Sequence, residues 1–527
     1  MAAGVYYWPE ISFFGQAVNR VYHTASAVAL LAVDYKWTLG SYWKVQETRK
    51  LLPEEEKEYV GIKSEVHARS ARRLLALFQR NGGIYIKLGQ HLSALDFILP
   101  DEYCRVMSTL QNEAPASPPE DVCLVFQEEL GAHFPTSERD PVKRGRAIME
   151  SCFRRFDWRP IGAASLAQVH AAERHDGERV AVKIQHRRVL GFASLDMATA
   201  SVAVKWIKRV FPNFEFSWLA EEIRTNLPRE LNFLQEGHNA ERLAKYQEPG
   251  DASVVVPRVH WDLSTRRILV MEFMEGEKIS NVDKLRATGI DLRKVGERLT
   301  KAYSEMIFVH GFVHCDPHPG NILVRRGAQS RDGYDLVLLD HGLYKELSDE
   351  FRVQYARLWK AVVDCDEPGI AKASEYFGNG NAHRLFSSVL THRSWDNLGT
   401  LNALHSLQEL QAIKDKVPFY LERIARLLAA LPRDMLLLLK TNDLLRSIER
   451  RLQNGDSLPS RSFLIMARYC ALAIEREEEG RVGVWRAKLR YYRSLVRYRL
   501  IGCFLKIYSF FSLPAKPAPS QDVIVLD

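Results

Sequence analysis

Two aspartates, an asparagine and a glycine carry the strongest chemical signal in the chain. They lie between Phe308 and Tyr344, where FVHGFVHCDPHPGNILV is followed after a gap by YDLVLLDHGLY. Asp316 and Asn321 belong to the first run, and Asp340 and Gly342 close the second. Carboxylate and amide oxygens delivered at strand ends can hold Mg²⁺ against phosphate oxygens. Gly342 permits a tight backbone after the aspartate. The stretch therefore reads as a metal and phosphoryl centre.

A phosphoryl centre also needs a fixed cation. VAVKIQH, residues 180–186, alternates as a strand does and carries Lys183 inside it. A buried lysine is costly without a partner, so a carboxylate is expected opposite it. The stretch Glu221 to Lys245 reads as helical and holds Glu230 and Glu236, six residues apart. Six residues separate them around a helix surface. Both can point inward only if the helix is broken, or if two lysines, Lys87 and Lys183, claim one each.

The parts arrive in the order found in kinases: a small-residue loop (Gly162, Ala163, Ala164, Ser165), Lys183, Glu236, Asp316 with Asn321, then Asp340 and Gly342. In that order Lys183 would hold phosphate oxygens as a point charge and Glu236 would fix it. Asn321 and Asp340 would supply metal oxygens, and Asp316 would orient an acceptor hydroxyl and take its proton. Met271 and Phe273, late in a second apolar run, are assigned to the nucleotide. Zinc hydrolysis competes, because His314, Asp316 and His318 are spaced by twos and His341 follows Asp340. That reading leaves Lys183 and Glu236 without a role. His314 more simply anchors the catalytic loop, and His318 with Pro319 shapes its turn. A degenerate, nucleotide-gated scaffold is a third reading; the retained metal ligands favour chemistry over it.

These residues need a large frame. A chain of 527 residues exceeds one ordinary domain, and 46% hydrophobic with 26% charged residues indicates a folded body. The net charge of +8 fits anionic lipid, nucleic acid or a basic surface without a partner. Seven scattered cysteines form no CxxC pair, so neither a thiolate metal cage nor a disulfide scaffold is supported.

Five regions are expected. Residues 1–60 are aromatic and apolar, with helical potential from Phe14 to Trp37, either packed or membrane-proximal; Ala25–Val33 is too short to span a bilayer. Residues 61–157 form a helical extension: one helix ending at Asn81-Gly82-Gly83, a second over 84–95 with Lys87 and Gln90 on one face, and a helix pair over 117–157. Residues 158–276 carry strands, two of them within 254–275. Residues 277–480 are mostly helical, wholly so after Leu343, with THRSWDN at 391–397 as a loop or helix end. Residues 481–527 form a basic, aromatic region followed by a Pro/Ala-rich tail, suited to a membrane surface or to packing on the core.

The combination KLGQ at 87–90, AASLAQVH at 163–170, VAVKIQH, ELNFLQEG at 230–237, FVHCDPHPGN at 312–321 and LLDHG at 338–342 resembles the UbiB family, the ABC1 or aarF-domain atypical kinases. The resemblance spans roughly residues 60–470 and is greatest to the animal mitochondrial aarF-domain subgroup. It implies an α+β, two-lobed protein-kinase-like fold with a helical N-terminal extension and extra C-lobe helices. It implies ATP or ADP with Mg²⁺ as cofactors. Lys87, Gln90 and Glu230 would then belong to a regulatory extension lying over the site, with Lys87 paired to Glu230. Gly162 to Ser165 matches the alanine-rich loop that replaces the glycine-rich loop of ordinary protein kinases. Family members are accordingly regarded as poor protein kinases, linked to ATP hydrolysis or to lipid and isoprenoid-quinone roles. The implied setting is a mitochondrial membrane surface, with a lipid or quinone-like small molecule or other mitochondrial proteins as partners and no nucleic acid. Two positions depart from the family: Asn232 stands where an aspartate is usual, and Gly162 where an alanine is.

Overall fold

The computed structural model describes residues 3–49, 51–93, 99–111, 116–135, 137–211, 224, 227–247, 254–327, 333–378, 380–391, 427, 431–453 and 460–511. The chain divides into two compact units, Met1–Ile279 with Cys315–Tyr344, and Ser280–His314 with Lys345–Asp527. The fold is mixed α+β, largely helical, with a helical N-terminal extension before the strands. Lys183, Glu236, Asp316, Asn321, Asp340 and Gly342, the residues expected at the phosphoryl centre, all lie in the first unit.

In that unit α1 (Ala3–Thr48) packs on α2 (Pro53–Asn81) and α7 (Arg187–Val210). Helix α2 starts on Pro53 with Glu54, Glu55 and Glu56 in its first turn, which suits the positive end of the helix dipole. Val66, Ser70, Leu77 and Phe78 are buried along it, and Leu74 is partly buried. It stops where Gly82 and Gly83 take φ of +64° and +50°, conformations that a Cβ disfavours. The chain then starts α3 (Ile84–Ser93), the predicted carrier of Lys87 and Gln90. Helix α4 (Asp101–Met107) packs beside α2 and α3. Helix α1 braces this corner: Arg20 forms an ion pair with Asp196 of α7, and the hydroxyls of Thr24 and Tyr85 lie 2.8 Å apart.

The predicted helix pair is α5 (Pro119–Leu130) and α6 (Pro141–Cys152). Residues 153–156, expected to finish that pair, instead form β1 (Phe153–Phe156). A Cβ on Gly145 would lie 1.9 Å from the carbonyl oxygen of Cys123, so α6 meets the backbone of α5 directly. Backbone cannot rotate aside as a side chain can. Gly145→Ala should therefore destabilise the fold by about 3 kcal/mol, read as a lowered urea midpoint.

Strands β2 (Gly162–Ala163), β3 (Ala167–Arg174), β4 (Arg179–Gln185) and β5 (Ile268–Glu272) complete an antiparallel sheet in the order β1-β3-β4-β5, with β2 on β3. The small-residue loop is thus partly strand, with Gly162 opposite Val169 and Ala163 opposite Gln168. Alternation along β4 decides the layers. Val180, Val182 and Ile184 are buried with Val122, Phe126, Ile148 and Met149 of α5 and α6. Lys183 points to the other face, where Ala167, Leu269 and Met271 pack against Phe233 and Ala240 of α8 (Phe233–Lys245).

Two expectations need correction. The stretch from Glu221 to Lys245 is not one helix within its described part. A helical turn at 227–230 ends at Leu231, and Asn232 takes an extended conformation (φ −117°, ψ 97°) as the N-cap of α8. The Phe233 N–H donates to the Arg266 carbonyl instead of continuing the turn (3.0 Å). Residues 254–263 are not a strand but two isolated bridges, Val255 to Val337 and Val259 to Met271. Pro257 lies between them and has no N–H to give a ladder.

A second sheet, β6-β8-β9, is built from β6 (Glu277–Lys278), β8 (Ile322–Arg326) and β9 (Tyr334–Leu338), and it ends the first unit. The second unit holds α9 (Val282–Ala287), α10 (Leu292–Ser304) and β7 (Phe312–His314). Val295, Leu299, Tyr303 and Met306 form a buried stripe at helical spacing, and a π-helical turn over Glu305–His310 prolongs α10. After the short strand β10 (Tyr344–Glu346), which the helical expectation did not include, come α11 (Asp349–Asp364), α12 (Glu367–Tyr376), α13 (His383–Thr391), α14 (Arg433–Gln453), α15 (Ser460–Val482) and α16 (Val484–Phe511). THRSWDN beyond Thr391 and the Pro/Ala-rich tail lie outside the described residues. Among the described residues no helix is long and apolar enough to cross a membrane.

Candidate phosphoryl-transfer site

Strand register brings the chemistry together. Lys183 sits in the central strand, flanked by Val169 on β3 and Leu269 on β5. Its side chain faces α8, where Glu236 occupies the first turn. The Lys183 ammonium donates to both Glu236 carboxylate oxygens (2.6 and 2.8 Å) and reaches Asp340 at 3.4 Å. The Phe233 ring lies 5.2 Å from the ammonium. The carboxylate expected opposite Lys183 is therefore Glu236, whose side chain is only 3% exposed.

Asp340 follows β9 and keeps 42% of its side chain exposed. Ile322 pairs with Leu338, and one step further the Leu339 N–H donates to the Asn321 carbonyl (3.0 Å). That bond sets Asn321 beside the residue preceding Asp340. The Cys315 N–H donates to the Leu343 carbonyl (3.0 Å), which sets Asp316 near the other side of the Asp340 turn. The His318 N–H donates to the Asp316 carbonyl (2.7 Å) and the Asn321 N–H to the His318 carbonyl (2.9 Å). The six residues from Asp316 to Asn321 are thereby folded into one tight loop.

The histidines are engaged in shaping this frame. His341 has one ring nitrogen on the Leu338 carbonyl (3.0 Å) and the other on the Tyr344 hydroxyl (2.9 Å). His318 Nδ1 accepts from the Gly320 N–H (3.2 Å), the turn-shaping role expected of it. In the second unit His314 Nδ1 lies 2.8 Å from the Tyr303 hydroxyl. Among the described residues no group of three or more His, Cys, Asp or Glu is placed to hold a metal ion. Both ring nitrogens of His341 and the Nδ1 atoms of His314 and His318 are thus engaged in hydrogen bonds.

The extension forms a second ion pair. Lys87 of α3 lies 2.8 Å from Glu230, and His91 lies 3.7 Å from the same carboxylate. The break at Leu231–Asn232 lets Glu230 serve Lys87 and Glu236 serve Lys183. Both conditions that the six-residue spacing posed are met at once. Gln90, one turn after Lys87, donates to the Leu110 carbonyl (2.9 Å) and accepts from the Ser165 hydroxyl (3.3 Å). The alanine-rich turn is closed as well: the Ala164 N–H donates to Ala167 (2.8 Å), and the Ala164 carbonyl lies 2.9 Å from His186 Nε2. Met271 is buried under α8, and Phe273 is covered by the Arg179 guanidinium at 4.3 Å.

Charge distribution follows from this packing. Partial desolvation by its neighbours opposes the charge of Asp340, but Lys183, Lys87 and the Gly342 N–H bring its pKa down to about 2. Burial likewise works against Lys183, yet Asp340 and Glu236 overcome it and raise its pKa. Burial pushes the Glu236 carboxyl up against the pull of Lys183. At Glu230 burial is overcome by Lys87 and His91, and the pKa falls. Lys87 is held protonated by Glu230, Asp316 and Asp340 together, against burial.

This donor set fits Mg²⁺, which takes few protein carboxylates and otherwise oxygen from water and phosphate. Asp340 would offer an ionised oxygen with an exposed edge, and Asn321, whose backbone is tied to Leu339, could offer an amide oxygen. Gly342 matters to that edge. Its N–H donates to Asp340 Oδ1 (2.9 Å), and a Cβ there would lie 3.2 Å from the same oxygen. Gly342→Ala should raise the Mg²⁺ concentration required for nucleotide binding about tenfold, measured by titrating Mg²⁺ at fixed nucleotide.

One residue that positions this candidate site is absent from the sequence-based set. Asn239 donates to the His341 carbonyl (3.0 Å) and so holds the backbone just after Asp340. Its spacing of three from Glu236 on one helix face was the available signal.

The ABC1 atypical kinase-like domain matches residues 109–374. The chain is 43% identical over 466 residues to the AarF domain-containing protein kinase 1 of Gallus gallus, covering 88% of this chain and 84% of that protein. It is 41% identical over 478 residues to the Xenopus laevis protein of the same name, covering 90% and 86%. It is 39% identical over 467 residues to the AarF domain-containing kinase 1 of Drosophila melanogaster, covering 88% and 85%.

Proposed function

The chain belongs to the ABC1 atypical kinase-like family, and from that premise we propose that it is a Mg²⁺-dependent ATP- or ADP-binding kinase or ATPase. The observation that carries the reading is the Lys183 ammonium held between Glu236 and Asp340 at 2.6 and 3.4 Å. Lys183 would bind phosphate oxygens, and Glu236 keeps it aimed at them. Asp340 and Asn321 would hold the metal, which when bound neutralises phosphate charge. Asp316 would orient an acceptor hydroxyl, or water, and accept its proton.

Access to this centre is narrow in the proposed reading. Lys87 and Gln90 tie α3 to Glu230 and to Ser165 of the alanine-rich turn. That arrangement supports a small acceptor or water over a folded protein substrate. The family resemblance further supports a role in mitochondrial lipid or isoprenoid-quinone homeostasis at a membrane surface.

The test is ATP turnover by the purified full chain, with Mg²⁺ and with the metal chelated, in the presence of lipid or quinone-like headgroups. Turnover that requires Mg²⁺ supports the reading. Tight Mg²⁺-dependent nucleotide binding without turnover under any condition would replace it with the nucleotide-gated scaffold.

A further inference from the structure

Helix α16 packs on α15 by one face only. Ala487 and Tyr498 are buried, and Tyr491 and Ile501 pack with Tyr498 against Phe463, Leu464, Ala467, Ala471 and Val363. The opposite face is apolar and open. Trp485 is 87% exposed and Leu489 72%, and Tyr492, Val496 and Leu500 are also exposed. At about 100° per residue these five side chains fall within an arc of about 80°.

Charge frames the arc. Lys488 and Arg499 border one edge, Arg486 and Arg493 the other, and all four are exposed. No residue of α16 is acidic. Arg490 and Arg497 are paired with Glu478 and Asp364. Among the described residues, the four bordering cations have no carboxylate within ion-pair distance.

We propose that this face of α16 docks on an anionic lipid bilayer, lying along the surface with its apolar arc in the headgroup boundary. The arc supplies the shallow apolar insertion, and the bordering cations reach outward to anionic headgroups. No described helix suits a spanning role, whereas an apolar strip edged by basic side chains suits an interfacial one. A second copy of the same face fits poorly, because a symmetric contact would set cation against cation. The assignment deepens the membrane-surface reading above and rests on it for its setting. Its readout is vesicle binding, so it can fail independently of nucleotide turnover.

The experiment is flotation of the purified full chain with phosphatidylcholine vesicles, with and without phosphatidylserine. Wild type should float with the anionic vesicles, and binding should weaken steeply between about 0.1 M and about 0.5 M salt. Trp485→Glu with Leu489→Glu should reduce anionic-vesicle partitioning at least about tenfold, with an unchanged circular dichroism spectrum and melting temperature. Arg493→Gln with Arg499→Gln, which leaves the apolar arc intact, should reduce it several-fold and flatten the salt dependence. Wild-type partitioning by the double glutamate variant would overturn the proposal, as would equal binding to neutral vesicles. So would self-association, or capture of a protein partner, that the same substitutions abolish while vesicle binding persists.

Discussion

Asp340→Asn is expected to abolish Mg²⁺-dependent ATP turnover, with a loss of at least about 10²-fold in kcat. The substitution keeps an oxygen where Gly342 donates and close to Lys183, but removes the charge that a hard cation requires. The fold should therefore survive while metal-dependent nucleotide binding weakens, and excess Mg²⁺ should restore binding before it restores turnover. The pH dependence has a definite sign. With its pKa lowered to about 2, the Asp340 carboxylate is fully ionised through the neutral range. Its contribution is lost only as pH falls towards that value, so a decline of turnover near neutral pH must come from another group. ATP hydrolysis and binding of a fluorescent ADP analogue, measured for both proteins, check this. Undiminished turnover in the variant would remove Asp340 from the metal site.

Lys183→Met is expected to cost about 3–5 kcal/mol of stability, the range for removing one partner of a buried ion pair. Glu236 would keep its place on α8, 3% exposed, with Asp340 nearby and no ammonium between them. Its carboxyl is already pushed up by burial, and losing Lys183 removes the opposing pull. A group whose folded pKa exceeds its unfolded value stabilises at low pH and loses that contribution as pH rises through the folded value. The variant should thus be more stable at pH about 5 than at pH about 8, with a steeper slope than wild type. The contribution of Lys183 in the wild type disappears only in strongly alkaline solution, because its own pKa is raised. Adding Glu236→Gln to Lys183→Met should recover part of the loss and flatten the slope. Urea unfolding at several pH values measures all three proteins. A single variant as stable as wild type at every pH would mean that Glu236 is not buried against Lys183.

These two residues were legible in different ways. Lys183 stood out locally, because a lysine inside VAVKIQH demands a partner. Asp316, Asn321, Asp340 and Gly342 stood out by their order along the chain. The break at Asn232 was not legible. Helical residues surround it, and only the hydrogen bond from Phe233 to Arg266, thirty-three residues away, shows why the helix restarts there. The failed strand at 254–263 has a local cause in Pro257. Its actual work, clamping β9 through Val255, depends on a distant partner. Asn239 was missed because an asparagine on an amphipathic helix is ordinarily a surface residue.

Alternation and small motifs by themselves determined the strand bearing Lys183, the helices bearing Lys87 and Glu236, and the loops bearing Asp316 and Asp340. These depend on contacts a few residues apart, which periodicity and turn residues encode. The family resemblance implied which glutamate serves which lysine, and the structure shows those pairs. Only the tertiary structure decided where the helix breaks to allow them, that the Asn321 backbone lies beside the Asp340 turn, and that one face of α16 packs while the other stays open. Those outcomes depend on backbone pairing and burial between segments far apart in the chain. In the opening stretch, an Asp, an Asn and another Asp were written in order; the β8–β9 register and the Lys183–Glu236 pair made them one site.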